Sequence, residues 1–204
     1  MGGVVPSIKG SVFEGLVTDL KRVCDERGLS GDALLEKLEP SDLDHFHEKI
    51  LLSAWYDVRV FDRMARLLLE LEGKGDVEYL RERGRKSARR LLEAGLYQQM
   101  EYLRRTELSG DPDERLEAFG RDLRLLTTMS SSILNFSVWN SHRDPDHPRR
   151  YVIEVTEAEP YPDVLAWNTE GFINAMAQEH DGTDRWRWQR PARDRLVFRM
   201  TSDL

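Results

Sequence analysis

The chain has 204 residues, 40% hydrophobic and 33% charged, with a formal net charge of −7 and a pI near 5.4. That apolar share supplies a core and excludes global disorder, while the acidic balance argues against nucleic acid or an anionic membrane as the general partner. No stretch approaches the roughly 20 apolar residues that span a bilayer. The start MGGVVPSIKGS has no apolar run behind a basic end, so no secretory signal is expected. The single cysteine, Cys24, permits no internal disulfide and suits a reducing cytoplasm.

The first two-thirds reads as helices. From Ser11, the residues Phe13, Leu16, Val17, Leu20, Val23 and Cys24 recur three or four apart, and Gly28 is a stop signal. A short helix over about 31–38 ends before Pro40. Ser41 caps the next segment, with Leu43, Phe46, Ile50 and Leu51 on one face. Trp55 and Tyr56 stand at the entry of a helix capped by Asp57, whose inward stripe is Val58, Phe61, Met64, Leu68 and Leu71. The Gly73-Lys74-Gly75 run closes it.

Asp76 caps a long helix with Leu80, Gly84, Ala88, Leu91 and Leu92 inward. A mid-helix glycine costs about 1 kcal/mol relative to alanine. Gly84, with Ser87 and Ala88 beside it, therefore predicts the close approach of another helix. LYQQMEYLRRTE continues helically after a break at Gly95, and Asp111 followed by Pro112 opens a further helix with Leu116, Phe119, Leu123 and Leu126 inward. After Ser130 the period changes. SILNFSVWNS alternates, HRDPDHPRR is a turn, and YVIEVTEA is a second strand. Residues 162–180 return to a helical period, and DRWRWQR and RLVFRMT alternate again, with Gly182 turning into the third strand. The predicted fold is α+β in one domain over 1–204. A helical part (about 11–130) packs on a C-terminal four-stranded antiparallel sheet (about 131–202) in the order β-β-α-β-β.

Catalytic chemistry finds no constellation. His45 and His47 are two apart and point to different sides of a helix. The loop with His142, Asp144, Asp146 and His147 matches no zinc or EF-hand pattern. His180 stands at a helix C-terminus, where a positive charge complements the dipole. Cys24 lies on an apolar stripe, the serines 130–132 lack a nucleophile elbow, and no phosphate-binding glycine loop occurs. No enzyme, no metal and no cofactor are expected. Two surfaces stand out. Trp55, Tyr56, Trp139, Trp167 and Gly171 either fill a core or line an aromatic pocket for a small apolar ligand. In the late helix, Val164, Trp167, Gly171 and Met176 are expected towards the sheet, with Gly171 letting a strand or a ligand come near. Arg81, Arg85 and Arg89 fall on one helix face at four-residue spacing. They form either a salt-bridged solvated face or a grip for an acidic partner.

Four stretches, VPSIKGSVFEGLV, SAWYDVRVFDRM, YLRERGRKSARRLLEAGLYQQMEYL and WNTEGFINAMAQ, resemble a protein family of about this length that is expanded in myxobacteria. No motif in it names a reaction. The element order and Gly171 resemble, more distantly, the superfamily of heme-nitric-oxide-binding domains, four-vinyl-reductase-type domains and vesicle-tethering transport-particle subunits. That resemblance implies a cytoplasmic small-molecule-sensing or protein-interaction module, paired through helical faces. The Gly84, Ser87 and Ala88 stretch is the candidate homodimer contact. Heme is disfavoured, because His45, His47 and His180 lie on no clearly apolar face. The vinyl-reductase-type metal is disfavoured too, because no cysteine lies near the C-terminus. The alternative reading is a structural adaptor without ligand, whose arginine face binds an acidic partner.

Overall fold

The structure, a computed structural model, describes residues 4–29, 31–93, 111–181 and 184–204. The expected helix over LYQQMEYLRRTE and the turn at Gly182 lie outside the described residues. The chain opens with a strand that the periodicity does not announce: β1 (Ser7–Lys9) pairs antiparallel with β2 (Trp55–Asp57). Trp55 and Tyr56 are thus strand residues rather than a helix entry. Between them lies α1 (Gly10–Arg27), which buries Phe13, Leu16, Val17, Leu20, Val23 and Cys24. It ends at Gly28 with φ 62°, and the amides of Gly28 and Leu29 reach back to the carbonyls of Asp25 and Cys24. The 31–51 region is less helical than its pattern suggests. It contains α2 (Gly31–Leu34), a 3₁₀ turn (Pro40–Asp42) and α3 (Asp44–His47).

Helix α4 (Val58–Leu71) starts where the Asp57 side chain accepts the Arg59 amide. Helix α5 (Glu78–Glu93) starts where Asp76 accepts the Glu78 amide. Helix α6 (Pro112–Ile133) has Asp111 accepting the Asp113 amide and Pro112 in its first turn. It runs further than the sequence pattern suggests. The hydroxyls of Ser130, Ser131 and Ser132 bond back to carbonyls three or four residues earlier, so these polar side chains are satisfied within the helix itself. The strand that follows, β3, is only Val138–Arg143. Then come β4 (Tyr151–Thr156), α7 (Asp163–Asp181), β5 (Trp186–Ala192) and β6 (Arg195–Met200).

The mixed helical and β architecture contains one four-stranded antiparallel sheet with spatial order β3-β4-β6-β5. Its buried face carries Trp139, Tyr151, Ile153, Val155, Trp186, Leu196, Phe198 and Met200, which join Leu116, Phe119, Leu123, Ile173 and Met176 of α6 and α7 in one core. Burying each large apolar side chain contributes on the order of 1.5–3 kcal/mol. Helix α7 also closes one sheet edge. Asn174 accepts the Trp186 amide at 2.8 Å and donates to its carbonyl at 3.1 Å, and Glu170 accepts the Trp188 amide at 2.8 Å. One helical turn separates Glu170 from Asn174, and two strand residues separate Trp186 from Trp188, so the two repeats, about 6 Å each, match.

Candidate functional site

The five aromatic-pocket candidates do not converge. Trp139 is buried, stacked on Phe198 at 6.0 Å between ring centres, and its indole donates to the Ser137 hydroxyl. Tyr161 packs beside it and hydrogen-bonds Thr169 at 2.8 Å, and its burial pushes the phenol pKa up. Trp167 lies elsewhere, edge-on to Trp188 at 5.0 Å and 4.4 Å beneath the Arg81 guanidinium. Tyr56 stacks on Phe13 at 4.8 Å, with His45 edge-on to both rings. Trp55 points outward.

Gly171 does not face a strand or a ligand. A Cβ there would sit 1.9 Å from the Arg81 carbonyl oxygen, so it is the α5 backbone that comes near. Between α6 and α7 a cavity of about 20 Å³ remains, lined by Phe119, Asp122, Leu123, Leu126, Ile173, Met176 and Ala177. It admits one water molecule and no organic ligand.

The arginine face is largely matched within the chain. Arg81 donates to the fully buried Glu170 at 2.7 Å and to Glu78 at 3.0 Å. Arg85 reaches Glu78, Glu82 and Asp184. Only Arg89 of the three is well exposed, beside Glu82 at 3.2 Å. Gly84 and Ala88 are buried, Gly84 against the Asn168 carbonyl. Of the stretch offered as a homodimer contact, Gly84 and Ala88 are thus taken up inside the chain, while Ser87 is exposed. In the 141–150 loop, Asp144 is buried and bonds Arg199 and the Asp146 amide. Among the described residues no group of three or more His, Cys, Asp or Glu is placed to hold a metal ion, and no helix is long and apolar enough to cross a membrane.

A shallow hollow of about 550 Å³ lies at the ends of α1 and α4, lined by residues such as Arg27, Arg66, Leu69 and Lys74. Its Arg66 and Glu70 pair with Asp62 and Lys37, and Arg27 donates to the Leu71 carbonyl. The hollow thus carries mostly matched charge.

The exposed apolar surface is concentrated elsewhere. Seven large hydrophobic residues stand exposed among those described, and five belong to the β1–β2 ribbon and its flanks: Val4, Val5, Leu51, Leu52 and Trp55. Leu51 is 56% exposed, Leu52 60% and Trp55 43%. The periodicity assigns Leu51 to an inward helix face, but the helix stops at His47, and Leu51 turns to solvent while Ile50 stays buried. Yet the loop is not loose. The amides of Gly10, Ser11 and Ala54 bond Ala54, Leu52 and Leu51 carbonyls at 2.9–3.0 Å. The Tyr56 hydroxyl accepts the Leu51 amide, and the Lys9 ammonium donates to the Ser53 carbonyl, both at 2.8 Å. Lys9 also lies 4.1 Å over the Trp55 ring. Gly10 permits this geometry, since a Cβ there would sit 2.0 Å from the Leu51 oxygen. The result is a pinned backbone with apolar side chains outward. In the sequence the only trace is the run ILLSAWY, which has no period.

No family model matches the chain, and no curated protein or solved structure matches it either.

Proposed function

We propose that the chain is a non-enzymatic protein-interaction module of the bacterial cytoplasm that docks through Leu51, Leu52 and Trp55. The observation that carries the reading is their outward exposure on a backbone fixed by five hydrogen bonds. Leaving two leucines and a tryptophan in water forgoes several kcal/mol of burial, and a clustered apolar patch of this kind marks an interaction site. A fixed loop has little conformational entropy left to lose on binding. Tryptophan is the residue type most often found at the centre of interface energetics. The partner surface that fits is an apolar groove, with a carboxylate at its rim to meet Lys9.

The cavity between α6 and α7, with room for one water molecule, favours this reading over small-molecule sensing. The intramolecular pairing of Arg81 and Arg85 favours it over an acidic partner on the arginine face. A photo-crosslinking residue at position 52, introduced in cells, tests the proposal. One discrete protein adduct, lost when Trp55→Ala is added, is the expected result. Adducts forming instead from position 89, with none from 52, would favour the arginine face.

A further inference from the structure

The two edges of the four-stranded sheet are built differently. On β5, the Trp186 amide and carbonyl and the Trp188 amide are taken by side chains of α7. Further along, Pro191 has no N–H and the pairing slips between Gln189 and Ala192. That edge is closed. The other edge, β3, pairs with β4 in register through all six residues without a proline or a bulge. Among the described residues its backbone groups outside the β4 ladder have no partner, apart from the Arg143 carbonyl beside the neighbouring His142 ring. Val138, Asn140, His142 and Arg143 are exposed. Natural sheets usually blunt such an edge, because unpaired N–H and C=O groups template another strand.

We propose that β3 pairs antiparallel with β3 of a second copy of this chain, joining two sheets into one across a two-fold axis. A second copy supplies an edge of the same length, equally free of proline and bulge. One open edge and one closed edge per chain also stop the assembly at two, whereas two open edges would propagate a filament. Residues opposite one another in antiparallel strands lie on the same sheet face, so a two-fold axis normal to the sheet must pass through a residue paired with itself. With that residue Asn140, Val138 faces His142 of the partner subunit and Trp139 faces Ser141 of the partner subunit. Arg143, next along, falls opposite Ser137 of the partner subunit. No like charges meet. Centring on Ser141 would instead set the exposed Val138 opposite Asp144 of the partner subunit, in the turn. This inference is independent of docking through residues 51–55.

Light scattering after size-exclusion chromatography tests it, at protein concentrations up to about 0.1 mM to cover weak association. The wild type elutes with twice the chain mass. Asn140→Lys and Asn140→Glu, each placing like charges at the axis, elute with the single-chain mass and an unchanged circular dichroism spectrum. An equimolar mixture of the two recovers the doubled mass. A monomeric wild type, charge variants that remain dimeric, or a mixture that stays monomeric would each overturn the proposal.

Discussion

Gly84 of α5 and Gly171 of α7 form a reciprocal contact. A Cβ on Gly84 would sit 1.9 Å from the Asn168 carbonyl oxygen, and one on Gly171 would sit 1.9 Å from the Arg81 carbonyl oxygen. Each helix thus places a backbone carbonyl where the other lacks a side chain. The helix propensity lost at both glycines is offset by dispersion contacts between two backbones at close range and by the buried pair that the approach makes possible, Arg81 with Glu170.

Substituting either glycine forces the helices apart. Gly84→Ala and Gly171→Ala are each expected to destabilise by about 1–3 kcal/mol or more, the usual range for overpacking. Gly15 of α1 is the control, since nothing lies within 4 Å of its Cβ position. Gly15→Ala should stabilise by about 0.5–1 kcal/mol through helix propensity alone. Urea midpoints of the three variants measure the contrast. Equal effects at all three positions would contradict the packing account.

Glu170 is fully buried and serves the Arg81 guanidinium and the Trp188 amide together. Arg81→Ala should therefore cost about 3 kcal/mol, because it removes the close partner of a buried carboxylate and leaves only Arg187, 3.9 Å away. Arg81→Met with Glu170→Gln should recover much of that loss. Asn174→Ala, which takes the acceptor from the Trp186 amide while Arg187 still donates to the carbonyl at 2.7 Å, should cost about 1–3 kcal/mol and raise amide exchange at Trp186. Exchange there at the wild-type rate would argue against the edge cap.

Acid should weaken the fold through its paired carboxylates. The hydrogen bond from Arg59 holds the Asp57 carboxyl below its ordinary range, and hydrogen bonds from Arg85 and then Arg81 do the same for Glu78. Both groups release protons more readily in the folded chain than in the unfolded one. Their contribution is fully present above the ordinary carboxylate values, roughly 4, and is lost as pH falls through the lowered folded-state values. Glu78 is half exposed, so the effect is small and shrinks with salt. Urea midpoints between pH 7 and 3 should fall less steeply for Asp57→Asn with Glu78→Gln than for the wild type.

Much of this architecture is legible in the sequence. The stripes of α1 and α4, the caps at Asp57, Asp76 and Asp111, and the alternation of β4 and β6 are local signals, and each element forms where its signal lies. The need for a close helix at Gly84 is legible as well, but not which helix answers it, because a glycine records an approach without recording the neighbour. Other features depend on distant partners. The three-residue β1 is too short to carry a period, and it forms because β2, 46 residues later by the pairing of Lys9 with Trp55, lies beside it. Leu51 fits a helical face on paper, but α3 ends at His47, so the stripe is never built. The four aromatic pocket candidates share a residue type and not a place, since aromatic character says nothing about which cluster a ring joins.

Leu51, Leu52 and Trp55 are exposed side chains whose removal leaves the core untouched. The most direct measurement is the affinity of the protein captured from position 52 for wild type and for Leu52→Ser with Trp55→Ala, by calorimetry on proteins of matched melting temperature. A loss of about a hundredfold or more is expected, as for a central aromatic anchor with its neighbour. Affinity unchanged within twofold would contradict it.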